Sequence, residues 1–294
     1  MKSCRSTWGT LGSLLGLLVA TAVAADAPKL SFSFTRETIP GAVQTIPYGL
    51  NNAGVSVGTY QDKKMVYHGY ILQGKKVITL DPAKSTFSLA TGINPNGSTV
   101  VGFYRTSNGN GVAFLYKSGK FTDIRGPIGA VAAFASSIND RGDVVGYFAD
   151  VAQIVHGFLL QGEKYTVLNV PGAGITYAAG INNGGKIVLY WAASRMAPAQ
   201  TSLFDGKTYK TINVPKALGS YATGINSAGD VTYQWVGDSG AFHGALLHAG
   251  KFYTFNYPKA AQTWGGGVND KNVIAGQFQH TSDGPVQGFR ATYR

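Results

Sequence analysis

The stretch FTRETIPGA (Phe34–Ala42) matches YTVLNVPGA (Tyr165–Ala173) in spacing. Each is followed by six residues before a glycine, Gly49 in the first case and Gly180 in the second. The second segment lies inside the chain as the last part of a repeating unit, whereas the first precedes any complete unit. At the other end, VQGFRATYR (Val286–Arg294) stops where another such segment is due. An N-terminal strand that completes the last unit closes an array into a ring. Closure hides the sheet edges that an open array would expose. An open β-solenoid, the main rival, needs no displaced strand.

The unit itself is read from one frame, which appears as GLNNAG at Gly49, GINPNG at Gly92, SINDRG at Ser137, GINNGG at Gly180, GINSAG at Gly224 and GVNDKN at Gly267. Its second residues (Leu50, Ile93, Ile138, Ile181, Ile225 and Val268) are 43, 45, 43, 44 and 43 residues apart. That period fits propeller blades and not leucine-rich or helical repeats. Each copy reads as four short apolar and aromatic runs punctuated by Gly, Asn or Pro. The first runs into the GIN frame, the second is of the VVGYF type, the third of the HGFLL type and the fourth of the KYTVLNVPGA type. The 40 glycines, 16 tyrosines and 15 phenylalanines agree with an all-β chain. The expected fold is a six-bladed β-propeller of four-stranded blades, closed by the N-terminal strand, with residues 25–294 as one domain.

With their GIN..G.VVG.Y and H(A/G)F elements, the copies resemble the HAF-type repeats of exported bacterial proteins. The resemblance covers the chain from about Phe34 and implies export and a propeller-like repeat, with no settled activity. Copies four and five depart most. IVLYWAA and VTYQW lack the glycine of the second strand, and AQTSLF lacks the His-Gly pair.

The recurring residues have structural explanations. Asn51, Asn94, Asn139, Asn182, Asn226 and Asn269 share one position, and Gly54, Gly97, Gly142, Gly185, Gly229 and Asn272 close the frame. Asparagine bonds to its own turn backbone and glycine accepts positive φ, so a tight turn between strands one and two is expected. The tripeptide Arg141-Gly142-Asp143 reads as RGD, but Gly142 is the frame glycine, so the motif is expected to mark a turn and not an adhesion site. Tyr60, Tyr104, Phe148, Trp191, Trp235 and Phe278 share a strand-two position expected to pack between blades. His68, His156 and His243 fall in alternate blades, too far apart for one ion, and are expected to bond locally. No metal or other cofactor is expected. Lysines at the turns between strands three and four (Lys75, Lys76, Lys117, Lys120, Lys164, Lys207 and Lys251) read as solvated edge protection.

Strand alternation puts the GIN turns and lysine turns on one face. The other face carries the loops that differ most between copies, where binding on a repeated scaffold usually lies. Four residues before the GIN isoleucine stand Ile46, Leu89, Phe134, Tyr177, Tyr221 and Trp264. Phe134, Tyr177, Tyr221 and Trp264 either pack between blades or, if they point inward, form an aromatic crescent at the channel mouth, suited to sugar rings, with Arg105 and Arg195 available to an anionic group. The alternative is a polysaccharide hydrolase or lyase using Asp62, Asp150, Asp238 or Asp283 in the variable loops. Those carboxylates are scattered over four copies, and no nucleophile elbow, HExxH, P-loop or dinucleotide fingerprint accompanies them. The reading therefore leans away from an enzyme.

Lys2 and Arg5, an apolar run from about Leu11 to Val23 and Ala22-Val23-Ala24 form a secretory leader with expected cleavage after residue 24. The single cysteine, Cys4, lies in that leader, so the exported chain forms no disulfide. Formal charge is +11. Without Lys2 and Arg5 the 25 basic residues fall to 23 against 14 acidic. The expected product is a secreted or periplasmic monomer with no membrane span after cleavage and no nucleic-acid partner. Its expected ligand is a glycan or anionic envelope polymer.

Overall fold

A computed structural model describes residues 30–109 and 111–294. The leader, its cleavage after residue 24 and Cys4 lie outside the described residues. Every regular element described is a strand, and the 24 strands form six antiparallel four-stranded sheets. Blade one contains Gln44–Leu50, Ser56–Gln61, Tyr67–Gln73 and Lys76–Leu80, ordered outward from the channel. Blades two to five repeat this order from Ser85, Ala132, Ile175 and Gly219. The chain is the six-bladed β-propeller expected from the repeat.

Ring closure also follows the expectation. Phe32–Glu37 is the outermost strand of blade six and pairs antiparallel with Gln287–Tyr293, from Phe32 opposite Tyr293 to Glu37 opposite Gly288. The junction is apolar outside and charged inside. Phe34 meets the rings of Tyr257 and Phe289 edge-on, at 5.6 and 5.4 Å. Glu37, 4% exposed, accepts bonds from Ser56 Oγ (2.7 Å) and Tyr70 Oη (2.9 Å) of blade one and pairs with Arg290 Nε of blade six at 2.5 Å. Arg290 also donates to the Gly54 carbonyl and to Ser56 Oγ. One buried carboxylate thus ties the last blade to the first.

The frame asparagine forms the turn as its chemistry predicts. Asn51 Oδ1 accepts the amides of Ala53 and Val55, and Asn269 Oδ1 those of Lys271 and Val273. Gly54, Gly97, Gly142, Gly185 and Gly229 all have φ between 76° and 91°, and Asn272 has 61°. The asparagine also joins blades. Nδ2 of Asn139 donates to the Asn182 carbonyl, Asn182 to Asn226, Asn226 to Asn269 and Asn269 to Asn51, at 2.9–3.3 Å.

The departures in copies four and five reflect exchanged volume. Gly58, Gly102, Gly146 and Gly276 on strand two lie opposite Tyr70, Phe114, Phe158 and Phe289 on strand three. A Cβ at any of these glycines would approach an opposed ring atom within 2.3–2.9 Å. Where strand two carries the large residue, Leu189 or Tyr233, strand three carries Ser202 or Ala245. All four are buried. Interior packing is close to crystalline density, so one layer admits one large side chain per pair.

The RGD tripeptide is closed on itself. Arg141 Nε and Nη2 bond to Asp143 Oδ2 at 2.9 and 2.8 Å, and Asp143 is 6% exposed. Burial pushes the Asp143 carboxyl up, but bonds from Asn139, Arg141 and Gln161 outweigh it and hold it below the usual range. A receptor cannot grip a carboxylate already held within the fold.

Breaking the closure lock from one side should be costly. Glu37→Ala leaves Arg290 and Tyr70 without their buried acceptor. The variant should lose about 3–5 kcal/mol of stability, read as a shift of the urea midpoint with the protein still folded at low denaturant.

Candidate functional site

The channel is shaped by a bulge that the period alone does not reveal. In every blade the pairing of strands one and two shifts register just before the GIN isoleucine, at Tyr48, Thr91, Ser136, Ala179 and Thr223 in blades one to five and across Gly266-Gly267 in blade six; the residues two before the isoleucine are thus Tyr48, Thr91, Ser136, Ala179, Thr223 and Gly266. A bulge bends its strand and re-aims the extra residue. These six residues line the channel. Five are small and one is Tyr48, which lines both the recess on one face and the cavity on the other.

Below the bulge the blades converge. A Cβ at Gly92 would lie 2.9 Å from Ser137 Cα, and one at Gly224 2.9 Å from Gly267 Cα. The first residue of the GIN frame is therefore small because the next blade's backbone lies against it. Only a recess of about 60 Å³ remains on this face.

Above the bulge the channel opens into a cavity of about 620 Å³. The residues four before each GIN isoleucine pair with strand-two residues, placing Leu89 opposite Phe103, Phe134 opposite Tyr147, Tyr177 opposite Tyr190, Tyr221 opposite Gln234 and Trp264 opposite Gln277. Phe134 and Tyr147 stack at 4.7 Å and 12°, and Tyr177 and Tyr190 at 4.6 Å and 12°. Tyr147 meets Tyr177 edge-on at 4.8 Å, and Phe103 meets Phe134 at 4.4 Å. Blades two to four thus supply an aromatic wall. Blades five and six supply Gln234, Gln277 and Trp264.

Phe134, Tyr177, Trp264 and Arg105 line this cavity. Tyr221 packs beside it against Tyr190, at 5.6 Å. Arg195 does not line it and donates to the Gln153 carbonyl of the neighbouring blade at 2.6 Å. Sequence reasoning missed the second aromatic layer, Phe103, Tyr147 and Tyr190. Their signal was the residue just before the shared strand-two aromatic, which alternation turns toward the channel. It also missed Tyr48, which no neighbouring copy matches.

Many polar groups of the cavity have no partner among the described residues. Among the described residues, the hydroxyls of Tyr48, Tyr147, Tyr177, Tyr190 and Ser136 and the amide of Gln234 make no hydrogen bond. Only Trp235 Nε1 and Gln287 Oε1 are fully enclosed and unpaired among the described residues, so the unpaired groups of the cavity are not among the sealed ones. Burial pushes the Tyr48 and Tyr147 phenols up to about 12, helped by Tyr67 for the former and by Tyr177 and Tyr48 for the latter. Burial also raises Tyr190. These three phenols are neutral donors at physiological pH.

The other candidates are engaged elsewhere. His68, His156 and His243 bond through Nδ1 to Asp81, Asn169 and Asn256 of their own blades, at 2.7–2.9 Å. Each lies against the shared strand-two aromatic, Tyr60, Phe148 or Trp235. The Asp62 carboxyl is held below its usual range chiefly by the Val66 amide, and Asp150 by that of Ile154. Both also contact a histidine, His68 and His156. No carboxylate lines the cavity among the described residues.

No protein-family model matches the chain, and no curated protein resembles it in sequence. Solved structures share its fold. A TolB-type protein of Agrobacterium tumefaciens is 12% identical with TM-score 0.58, over 90% of this chain and 98% of that one. The SapL1 lectin, solved with α-methyl fucoside, is 10% identical with TM-score 0.55, over 87% and 94%. The propeller domain of the trilobed protease from Pyrococcus furiosus is 11% identical with TM-score 0.51, over 88% and 96%.

The raised phenols give an alkaline signature. Unfolded tyrosines ionise near pH 10, whereas Tyr48 and Tyr147 keep their protons to about 12. Between those values the native state binds more protons, so stability is unaffected below pH 10 and falls as pH rises toward 12. Absorbance at 295 nm should show a late phase near pH 12, lost in Tyr48→Phe/Tyr147→Phe.

Proposed function

We propose that the protein is an exported binding propeller that holds a saccharide in the aromatic cavity of its variable face. The observation that carries this reading is a wall of aromatic faces beside hydroxyl and amide groups that no described residue satisfies. Sugar rings present just these complements: apolar C–H faces for aromatic rings and hydroxyls for unpaired donors and acceptors. The cavity volume lies within the range of about 300–1,000 Å³ common for small-molecule sites. A propeller of the same fold, the SapL1 lectin, was solved with a fucoside, which supports the scaffold's suitability for this task. The leader-like N-terminus supports export.

Hydrolysis by loop carboxylates is the weaker reading. A glycosidase needs one carboxyl whose pKa is raised so that it donates a proton at the scissile bond. Asp62 and Asp150 are shifted the other way and do not reach the cavity.

Binding should be measured on an array of mono- to tetrasaccharides, then by calorimetry. Trp264→Ala and Tyr177→Ala should each weaken the best ligand roughly five- to thirtyfold while melting stays cooperative. Unchanged affinity in both variants would remove the cavity from the binding site.

A further inference from the structure

The geometry points to a saccharide ring that carries a carboxylate, with its acid group at blade two. This rests on the binding reading above and names the ligand class. Arg105 is the one charged side chain among the described residues that line the cavity. Its guanidinium lies 5.9 Å from the ring centres of both Phe87 and Phe103. Within the described residues it makes no side-chain hydrogen bond and no ion pair. Arg141 and Arg290, by contrast, are paired with carboxylates.

Arginine presents a planar fork of donors that matches a carboxylate in two parallel bonds. The exposed guanidinium lies over two phenyl rings, which take none of its donors. The position is particular to blade two. The matching strand-two residues of the other blades are Gln61, Ala149, Ala192, Val236 and Gln279, none of them charged. Blade five stands opposite blade two in a six-bladed ring, and its Gln234 amide makes no hydrogen bond among the described residues. The cavity is therefore polarised across its width. It has a cation at one side, aromatic faces along blades three and four, and neutral donors and acceptors on the far side. A hexuronic acid has this arrangement, with one carboxylate on a ring whose other edge carries hydroxyls. The carboxylates elsewhere on this face do not compete for Arg105. Asp62 and Asp150 are held by their own turns and histidines, and neither they nor Asp238 and Asp283 line the cavity.

The test is calorimetric titration of wild type and Arg105→Gln with D-galacturonate and D-glucuronate, each against its neutral parent, D-galactose or D-glucose. Melting temperature serves as the control for folding. At low salt, wild type should bind at least one acid roughly tenfold or more tighter than its parent. Arg105→Gln should erase that preference. Raising ionic strength should narrow the gap in wild type alone. Equal binding of acid and parent, or a preference that survives in Arg105→Gln, would overturn this inference and leave the saccharide reading standing. Absence of binding to all four sugars, with the array also blank, would overturn both.

Discussion

In each blade one asparagine side chain bonds inward to its own turn, and in most blades it also bonds sideways to the next blade. Its oxygen holds the turn amides, and in blades three to six its Nδ2 donates to the neighbouring frame carbonyl. The junctions that follow blades one and two are bonded through neighbouring turn residues, the backbone N–H of Asn52 donating to the Pro95 carbonyl and that of Asn96 to Asp140 Oδ1. All six blade junctions are thus bonded on one face. These side chains are buried, where a missing partner costs more than a made bond contributes. The ring therefore has one closely specified end.

The other end follows from that constraint. Backbones that touch through glycine at the GIN level leave no width for a ligand there. Two residues further the bulge diverts the strand, and the next inward layer is aromatic. Rings too large to converge on the axis stack against their cross-strand neighbours and surround an open space. The tight end and the open end are two consequences of the same six strands, separated by a single residue of register in each.

Closure and layer packing complete the scaffold without a disulfide, since the only cysteine is Cys4. The Glu37 carboxylate meets groups from blades one and six, so its bonds form only when the ring is closed. The exchanged pairs Gly–Tyr or Gly–Phe and Leu189–Ser202 or Tyr233–Ala245 keep blade thickness constant while the sequence drifts. Copies four and five are therefore full blades, although their motifs are the most altered.

By itself the sequence determined the blade count, the strand order, the displaced closing strand and the turns. These depend on local chemistry repeated at a fixed interval: Asn and Gly at the frame, and apolar runs of strand length. The same periodicity located Phe134, Tyr177 and Trp264 on the innermost strand and explained RGD as a turn. Tertiary structure alone decided which side chains share the cavity. The bulge breaks the alternation that a sequence reader relies on, so Tyr48 enters the channel without announcing itself. The stacking of Phe134 on Tyr147 and Tyr177 on Tyr190 depends on cross-strand register, which pairs residues more than ten positions apart. Arg105 and Arg195 looked alike as loop cations. One faces the cavity and the other is spent on a neighbouring carbonyl, because blade-to-blade placement of loops is a long-range property that no local pattern encodes.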